Sequence, residues 1–262
     1  VLTLATAQNN SARMVQSGRI VLYMRHEEGL RMASSPRVLG LDTAMSACSA
    51  ALCEGDRVLA NRRVVMERGH AEALMPMVRD VLEAADCAFR DLDLIAVTNG
   101  PGTFTGIRIG LAAAKGMAMT ANLPLVGVTT FEAIVHAVGE DELGDASLLV
   151  VLATKSKGYY AQAFSRKRKP VNAPCVADRN QLAGLVCEGE VVVAGDGARD
   201  GLEALTAAGI GARLCDRAFA SDAIHVAQIA AMGTRSGEST RAPVPLYLRP
   251  PATTLAGSGR RP

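Results

Sequence analysis

Apolar and polar positions fall into regular periods from Arg37 onward. V-L-G-L-D at 38–42 is a short apolar run closed by an acid, the pattern of a buried strand. S-A-C-S-A-A-L-C at 46–53 reads as a second strand of small residues, and Glu54-Gly55-Asp56 as the turn into a third, Arg57 to Glu67. Three strands joined by tight turns predict an antiparallel meander. The period then lengthens. His70, Leu74, Met77, Val78, Val81 and Leu82 recur every three or four residues and predict an amphipathic helix over 70–86. Leu94–Thr98 reads as a strand, Asn99–Thr105 as a Gly/Pro loop and Gly106–Ala121 as a helix rich in Ala and Gly. Leu125–Val128 and Thr130–Val138 add a strand and a helix. The order β-β-β-α-β-α-β-α is that of a ribonuclease-H-like α/β fold, a mixed sheet flanked by helices.

Gly139–Ala146 is acidic and contains Gly, which suits a domain joint. Beyond it, Leu148–Ala153 and Tyr159–Phe164 read as paired strands turned by Lys155-Ser156-Lys157-Gly158. Val191–Ala194 reads as a strand ending in Gly195-Asp196-Gly197, with helices at 178–187, 199–208 and 221–235. No internal repeat is visible in the letters. The expected division is an N-terminal lobe over 36–140 and a smaller C-terminal lobe over 141–250. Pro243 to Pro262 should be extended, with 251–262 as a tail. Residues 1–35 lack a clear period and read as a disordered extension, with Met32 as the expected start. Arg13, Arg19, Arg25 and Arg31 suggest a transit peptide, but Glu27 and Glu28 oppose that reading.

Composition narrows the function. The 262 residues carry 28 basic and 26 acidic side chains, a net charge of +2, which argues against tight sequence-independent binding of nucleic acid by this chain alone. With 4 Tyr, 5 Phe and no Trp there is little to stack bases on. The 6 Cys show no C-x-x-C spacing, as expected of reduced thiols in a cytoplasmic protein. The 4 His lie at least 44 residues apart, so no local histidine motif for a metal exists. The longest apolar run, Leu148 to Ala153, is far short of the ~20 residues that span a bilayer.

Two features carry candidate chemistry. N-G-P-G-T-F-T-G-I-R-I-G at 99–110 joins a strand to a helix. Gly100 and Gly102 permit unusual backbone angles, and Thr103 or Thr105 suits a helix cap. Such a helix start fits a phosphate, but the spacing matches neither the dinucleotide fingerprint nor a P-loop, and a tight turn needs the same glycines. Asp42-Thr43, at the end of the first strand, would orient a phosphate or a hydrated metal, or simply form an Asx or Thr turn. In the following helix Gly106, Gly110, Ala113, Ala114 and Met117 form a row of small residues and Met. The row suits a partner helix or this chain's own sheet. His70 opens a helix and reads as structural, and Arg166-Lys167-Arg168-Lys169 as a solvated loop. No G-x-S-x-G elbow supports hydrolase chemistry.

V-L-G-L-D-T-A at 38–44, H-A-E-A-L-M-P-M-V at 70–78, G-P-G-T-F-T-G-I-R-I-G at 100–110, L-P-L-V-G-V-T-T at 123–130 and P-L-Y-L-R at 245–249 resemble the bacterial TsaB/YeaZ family over about 37–250. The resemblance implies an actin/Hsp70-like ATPase fold of two lobes. It also implies a role in making threonylcarbamoyladenosine, the modified base next to the tRNA anticodon. In that family the chain is the non-catalytic partner of TsaD, a metal-bearing paralogue that transfers the threonylcarbamoyl group. A TsaE-type ATPase joins the pair, and tRNA is met through the complex. The implied partner surface is the first two helices, with His70, Leu74, Met77, Val78, Gly106, Gly110, Ala113, Ala114 and Met117. A homodimer through the same helices is the competing assembly. The paralogue's H-M-E-G-H metal motif is matched here by T-F-E-A-I, Thr130 to Ile134, so no metal and no catalytic residue is expected. No tightly bound cofactor is expected either; ATP or ADP would enter with the complex. The alternative is an autonomous ATP-dependent enzyme of the sugar-kinase type, with Asp42, Thr43, Gly100, Gly102 and Thr103 on the phosphates. The family's D-A-R-x-x-E-V-Y hairpin reads A-T-K-S-K-G-Y-Y at 153–160, without either carboxylate.

Overall fold

A five-stranded mixed sheet carries the N-terminal half, in a computed structural model that describes residues 35–154, 157–187, 189–216, 220–236 and 243–249. The expected extension at 1–34, Lys155 and Ser156 of the hairpin turn, and the expected tail 251–262 lie outside the described residues. The strands are β1 (Arg37–Asp42), β2 (Ala47–Glu54), β3 (Arg57–Val65), β4 (Leu94–Thr98) and β5 (Leu125–Val128), in the order β3-β2-β1-β4-β5. The β1–β2 and β2–β3 pairs are antiparallel, and β4 and β5 add in parallel. This is the meander and crossover arrangement that the strand and helix periods predict.

The second sheet comprises β6 (Ser147–Ala153), β7 (Tyr159–Phe164), β8 (Cys175–Ala177), β9 (Val191–Ala194) and β10 (Ala212–Leu214), in the order β10-β9-β6-β7-β8. Its β6–β7–β8 meander is antiparallel, and β9 and β10 join in parallel. The two sheets therefore repeat one topology, although the letters show no repeat. Strand order is set by period and connection, which many different side chains satisfy. Strands β8 and β10 are three residues long, too short for a period to reveal them. Residues 179–185 form a 3-10 turn where a helix was expected.

The helices are α1 (His70–Ala84), α2 (Phe104–Ala121), α3 (Thr130–Ala137), the single turn α4 (Glu140–Leu143) in the expected joint, α5 (Ala198–Ala207) and α6 (Ala223–Ser236). Alternation along β1 explains the layering. Leu39 and Leu41 pack with Leu74 and Val78 of α1 and with Ile107 and Leu111 of α2. Val38 points the other way, with Leu94 and Ala96, against Val226, Ala227, Ala230 and Ala231 of α6. Gly40 lets α6 approach, since a Cβ there would lie 2.3 Å from the Ala223 carbonyl oxygen.

The expected lobe boundary is thereby corrected. Helix α6 belongs to the first sheet, not to a C-terminal lobe spanning 141–250. Residues 243–249 also return to the first half. The Leu246 amide donates to the Asn99 carbonyl at 2.7 Å, and Asn99 Nδ2 donates to the Val244 carbonyl at 2.9 Å. In the second sheet Leu149, Val151, Val191 and Val193 pack under α5 and the 179–185 turn. Leu148, Val150 and Val192 instead share a core with Leu41, Phe131 and Ile134. The two sheets are thus joined through α3, and the described residues form one compact unit. No described helix is long and apolar enough to cross a membrane.

Candidate functional site

Strands β1 and β4 are parallel neighbours, so their C-terminal ends bring Asp42, Thr98 and the 99–103 loop together. Thr98 Oγ1 donates to Asp42 Oδ1 at 2.6 Å, and the Ala44 amide donates to the same oxygen at 2.9 Å. Thr43 Oγ1 donates to the Gly106 carbonyl at 2.7 Å. The Thr103 amide donates to the Ala44 carbonyl at 2.7 Å. Thr103, not Thr105, caps α2, its hydroxyl accepting from the Gly106 amide at 3.2 Å. Gly100 takes the left-handed φ of +108° against the Leu246 carbonyl.

These contacts engage the residues of the expected phosphate cradle, Asp42, Thr43, Gly100, Gly102 and Thr103, in packing within the chain, with Gly102 and Thr103 half-buried. Asp42 is 3% exposed and Thr43 1% exposed. A Cβ on Gly102 would sit 2.3 Å from the Ala44 carbonyl oxygen. The glycines serve close approach of α2 and its loop to the end of β1, and the polar atoms are used within that packing.

Burial pushes the Asp42 carboxyl above the ordinary carboxylate range, and the hydrogen bonds from the Thr98 hydroxyl and the Ala44 amide offset part of that rise. A pKa raised on folding favours the native state below the unfolded value of about 3.9, and that benefit is lost as pH rises through the folded value. Asp42→Asn replaces the titrating carboxyl with a neutral amide. The variant should therefore melt higher than the parent at pH 7, with the gap closing as pH falls toward 4. Thermal unfolding across that range checks this; a gap independent of pH would refute it.

The helix residues expected at a partner surface are also corrected. His70, Leu74, Met77, Val78, Gly106, Gly110, Ala114 and Met117 are buried, and Ala113 is half-buried. Their periodic row is the stripe that each helix lays on its own sheet. His70 Nε2 lies 3.3 Å from the Met45 carbonyl oxygen, a structural role as read. The outward sides of α1 and α2, which pack side by side, carry other residues. Met75 is 49% exposed and Met119 83% exposed, and Arg79, Ala112, Lys115 and Gly116 are exposed around them. An open groove of about 690 Å³ runs beside α1, with Met75, Leu82 and Phe89 in its wall. A period marks a stripe but does not say which neighbour takes it, so sequence reasoning selected the inward residues.

Thr130 to Ile134 start α3. Thr129 caps this helix in a reciprocal box with Glu132, and Phe131 and Ile134 have no exposed surface. In the 153–160 hairpin, the Ala153 amide donates to Asp196 Oδ1 at 2.7 Å, so a carboxylate from Gly195-Asp196-Gly197 meets the hairpin. The basic run at 166–169 is partly anchored. Arg166 pairs with Asp145 at 3.0 Å, and Arg168 donates to the Val135 carbonyl at 3.2 Å. The segment P-L-Y-L-R gains a role. Tyr247 packs on Phe104 with the ring centroids 5.0 Å apart and the planes inclined by 39°, and the Arg108 guanidinium lies 3.8 Å from the Phe104 ring centre. Nothing local in the letters joins 247 to 104.

The family model for TsaD, tRNA N6-adenosine threonylcarbamoyltransferase, matches residues 60–236. The tRNA threonylcarbamoyladenosine biosynthesis protein TsaB of Escherichia coli is 34% identical over 126 residues, covering 48% of this chain and 54% of that protein. TsaB of Haemophilus influenzae is 27% identical over 157 residues, covering 60% and 66%. The chain thus spans between half and two thirds of these relatives' length. The solved structure of YeaZ from Pseudomonas aeruginosa superposes with a TM-score of 0.67 at 26% identity, covering 81% of this chain and all of that one. The family model spans more than half of the chain, and the TsaB matches and the YeaZ fold agree with it: the chain belongs to the TsaD family, in its TsaB/YeaZ branch.

Proposed function

We propose that this chain is the non-catalytic subunit that pairs with a metal-bearing TsaD-type paralogue for N6-threonylcarbamoylation of the tRNA adenosine next to the anticodon. One observation carries the reading. Where the resemblance aligns the paralogue's two ligand histidines, this chain has Thr130 and Ile134, both buried without exposed surface. Ile134 offers no ligand atom, and Thr130 offers only a neutral hydroxyl in place of an imidazole. The TsaE-type ATPase, tRNA, and ATP or ADP belong in this reading to the assembled cytoplasmic complex. The kinase-like alternative needs Asp42 to reach a phosphate, and Asp42 is buried.

The contact surface is the exposed sides of α1 and α2, where flexible Met side chains sit among small residues and cations. Light scattering after size exclusion, on the chain alone and with the paralogue, should give a 1:1 complex that replaces any homodimer. Met75→Glu with Met119→Arg should weaken pairing by about thirty-fold or more, the scale of a lost hot spot. Both sites are exposed, so circular dichroism should not change. Undiminished pairing would overturn the assignment of this face. Absence of any complex, with or without ATP, would overturn the function. Gly110→Arg is a poor probe, because a Cβ there already lies 2.6 Å from Thr43 Oγ1.

A further inference from the structure

Helices α3 and α6 pack against each other, and their contact joins two histidines 89 residues apart. His136 lies in the last turn of α3 and His225 in the first turn of α6. Their Nδ1 atoms are 3.1 Å apart, with ring centroids at 5.3 Å and the planes inclined by 56°. Both residues are half-buried, so the pair lies within reach of solvent.

Two neutral imidazoles in this geometry have two ways to satisfy facing nitrogens. One ring donates an N–H to the other, or both turn a lone pair toward a shared cation. A tetrahedral zinc ion at about 2.0–2.1 Å from each nitrogen holds its nitrogen ligands about 3.3 Å apart, so the rings, which meet nearly head-on at 3.1 Å, need only part slightly and tilt to admit one. We propose that His136 and His225 form a two-imidazole site for a borderline divalent cation of the Zn²⁺ or Ni²⁺ class, which clips α6 onto α3. Imidazole nitrogen selects such ions over Mg²⁺ and Ca²⁺, which take oxygen. No cluster of three His, Cys, Asp or Glu occurs among the described residues, so water completes the coordination.

The surroundings support ligand-competent nitrogens. Burial, then the other ring and the Arg168 guanidinium, hold His136 down at about 4, against a weaker upward pull from Asp56. Burial also lowers His225, opposed by its hydrogen bond with Gln228. Both shifts favour the neutral rings. Arg168 disfavours a cation and Asp56 favours one. The site is separate from Thr130–Ile134 and does not depend on the proposed pairing.

The test uses the full chain carrying Cys187→Ser, since Cys187 is an exposed thiol that would itself take zinc. EDTA-treated protein is titrated with ZnCl₂, NiCl₂ and MgCl₂ at pH 7.5 by calorimetry and thermal shift. Zn²⁺ and Ni²⁺ should bind at one site per chain and raise the melting temperature, as for any ligand selective for the native state. Mg²⁺ should do neither. His136→Gln and His225→Gln should each lower affinity by at least about tenfold, the least that loss of even an outer-shell partner costs. Because either variant could lose stability, Co²⁺ absorption of the parent gives an independent reading. A spectrum of nitrogen and oxygen ligands supports the site. No response to Zn²⁺ or Ni²⁺, as expected of a pair that merely shares a proton, would overturn it. Binding unchanged in both variants would do the same.

Discussion

Gly106→Ala should destabilise the native state by about 3 kcal/mol, the upper range for overpacking a rigid site. An ideal Cβ at Gly106 would lie 2.0 Å from the Thr43 carbonyl oxygen and 2.5 Å from Thr103 Oγ1. The first obstacle is backbone at the end of a central strand and cannot swing aside. The second is the oxygen that caps α2. Relief therefore requires α2 to lift from β1, which also breaks the Thr43 hydroxyl's bond to the Gly106 carbonyl. Gly116, ten residues further along the same helix, is an internal control. Nothing lies within 4 Å of its Cβ position, so Gly116→Ala should stabilise by about 0.5–1 kcal/mol through helix propensity. Urea unfolding of both variants checks the pair. Equal effects at the two sites would show that the α2–β1 approach is not as tight as described.

Phe131→Ala should cost about 3–5 kcal/mol, the range for deleting a fully buried aromatic side chain. Phe131 has no exposed surface and packs in the cluster that holds Leu41 and Ile134 together with Leu148 and Val150 of the second sheet. A cavity there has rigid walls on both sides, two sheets and α3, so collapse recovers little. Ile134→Val, one methylene smaller in the same cluster, should cost only about 1 kcal/mol. Chemical denaturation again gives the numbers. A loss from Phe131→Ala no larger than that from Ile134→Val would mean that this stretch is not core. The inference that it replaces a metal site would then lose its footing.

The site was legible in part, and for definable reasons. Thr103 and the glycines of 100–106 announced a capped strand-to-helix turn, because cap and turn chemistry is local. Their use as a phosphate cradle did not follow. Whether such a loop opens to solvent depends on what lies over it, here Ala44 and the 244–246 segment. The row at 70–78 and 106–117 was also real, but its owner was misjudged. Periodicity reports that one face of a helix is apolar, and that face serves the chain's own sheet before any partner. The exposed Met75 and Met119 stand out only once that face has been assigned.

Strand and helix order, the meander, the turn at Glu54-Gly55-Asp56 and the start of α2 all follow from period and from residues a few positions apart. Such features depend on local sterics and on hydrophobic alternation, both of which are written along the chain. The return of α6 to the first sheet, the strap of residues 243–249, the short strands β8 and β10 and the meeting of His136 with His225 depend on distant pairs. Ala223 beside Gly40, Tyr247 on Phe104 and two imidazoles 89 residues apart have no local signature. Their energy is set by the complementary shape of surfaces that exist only after folding.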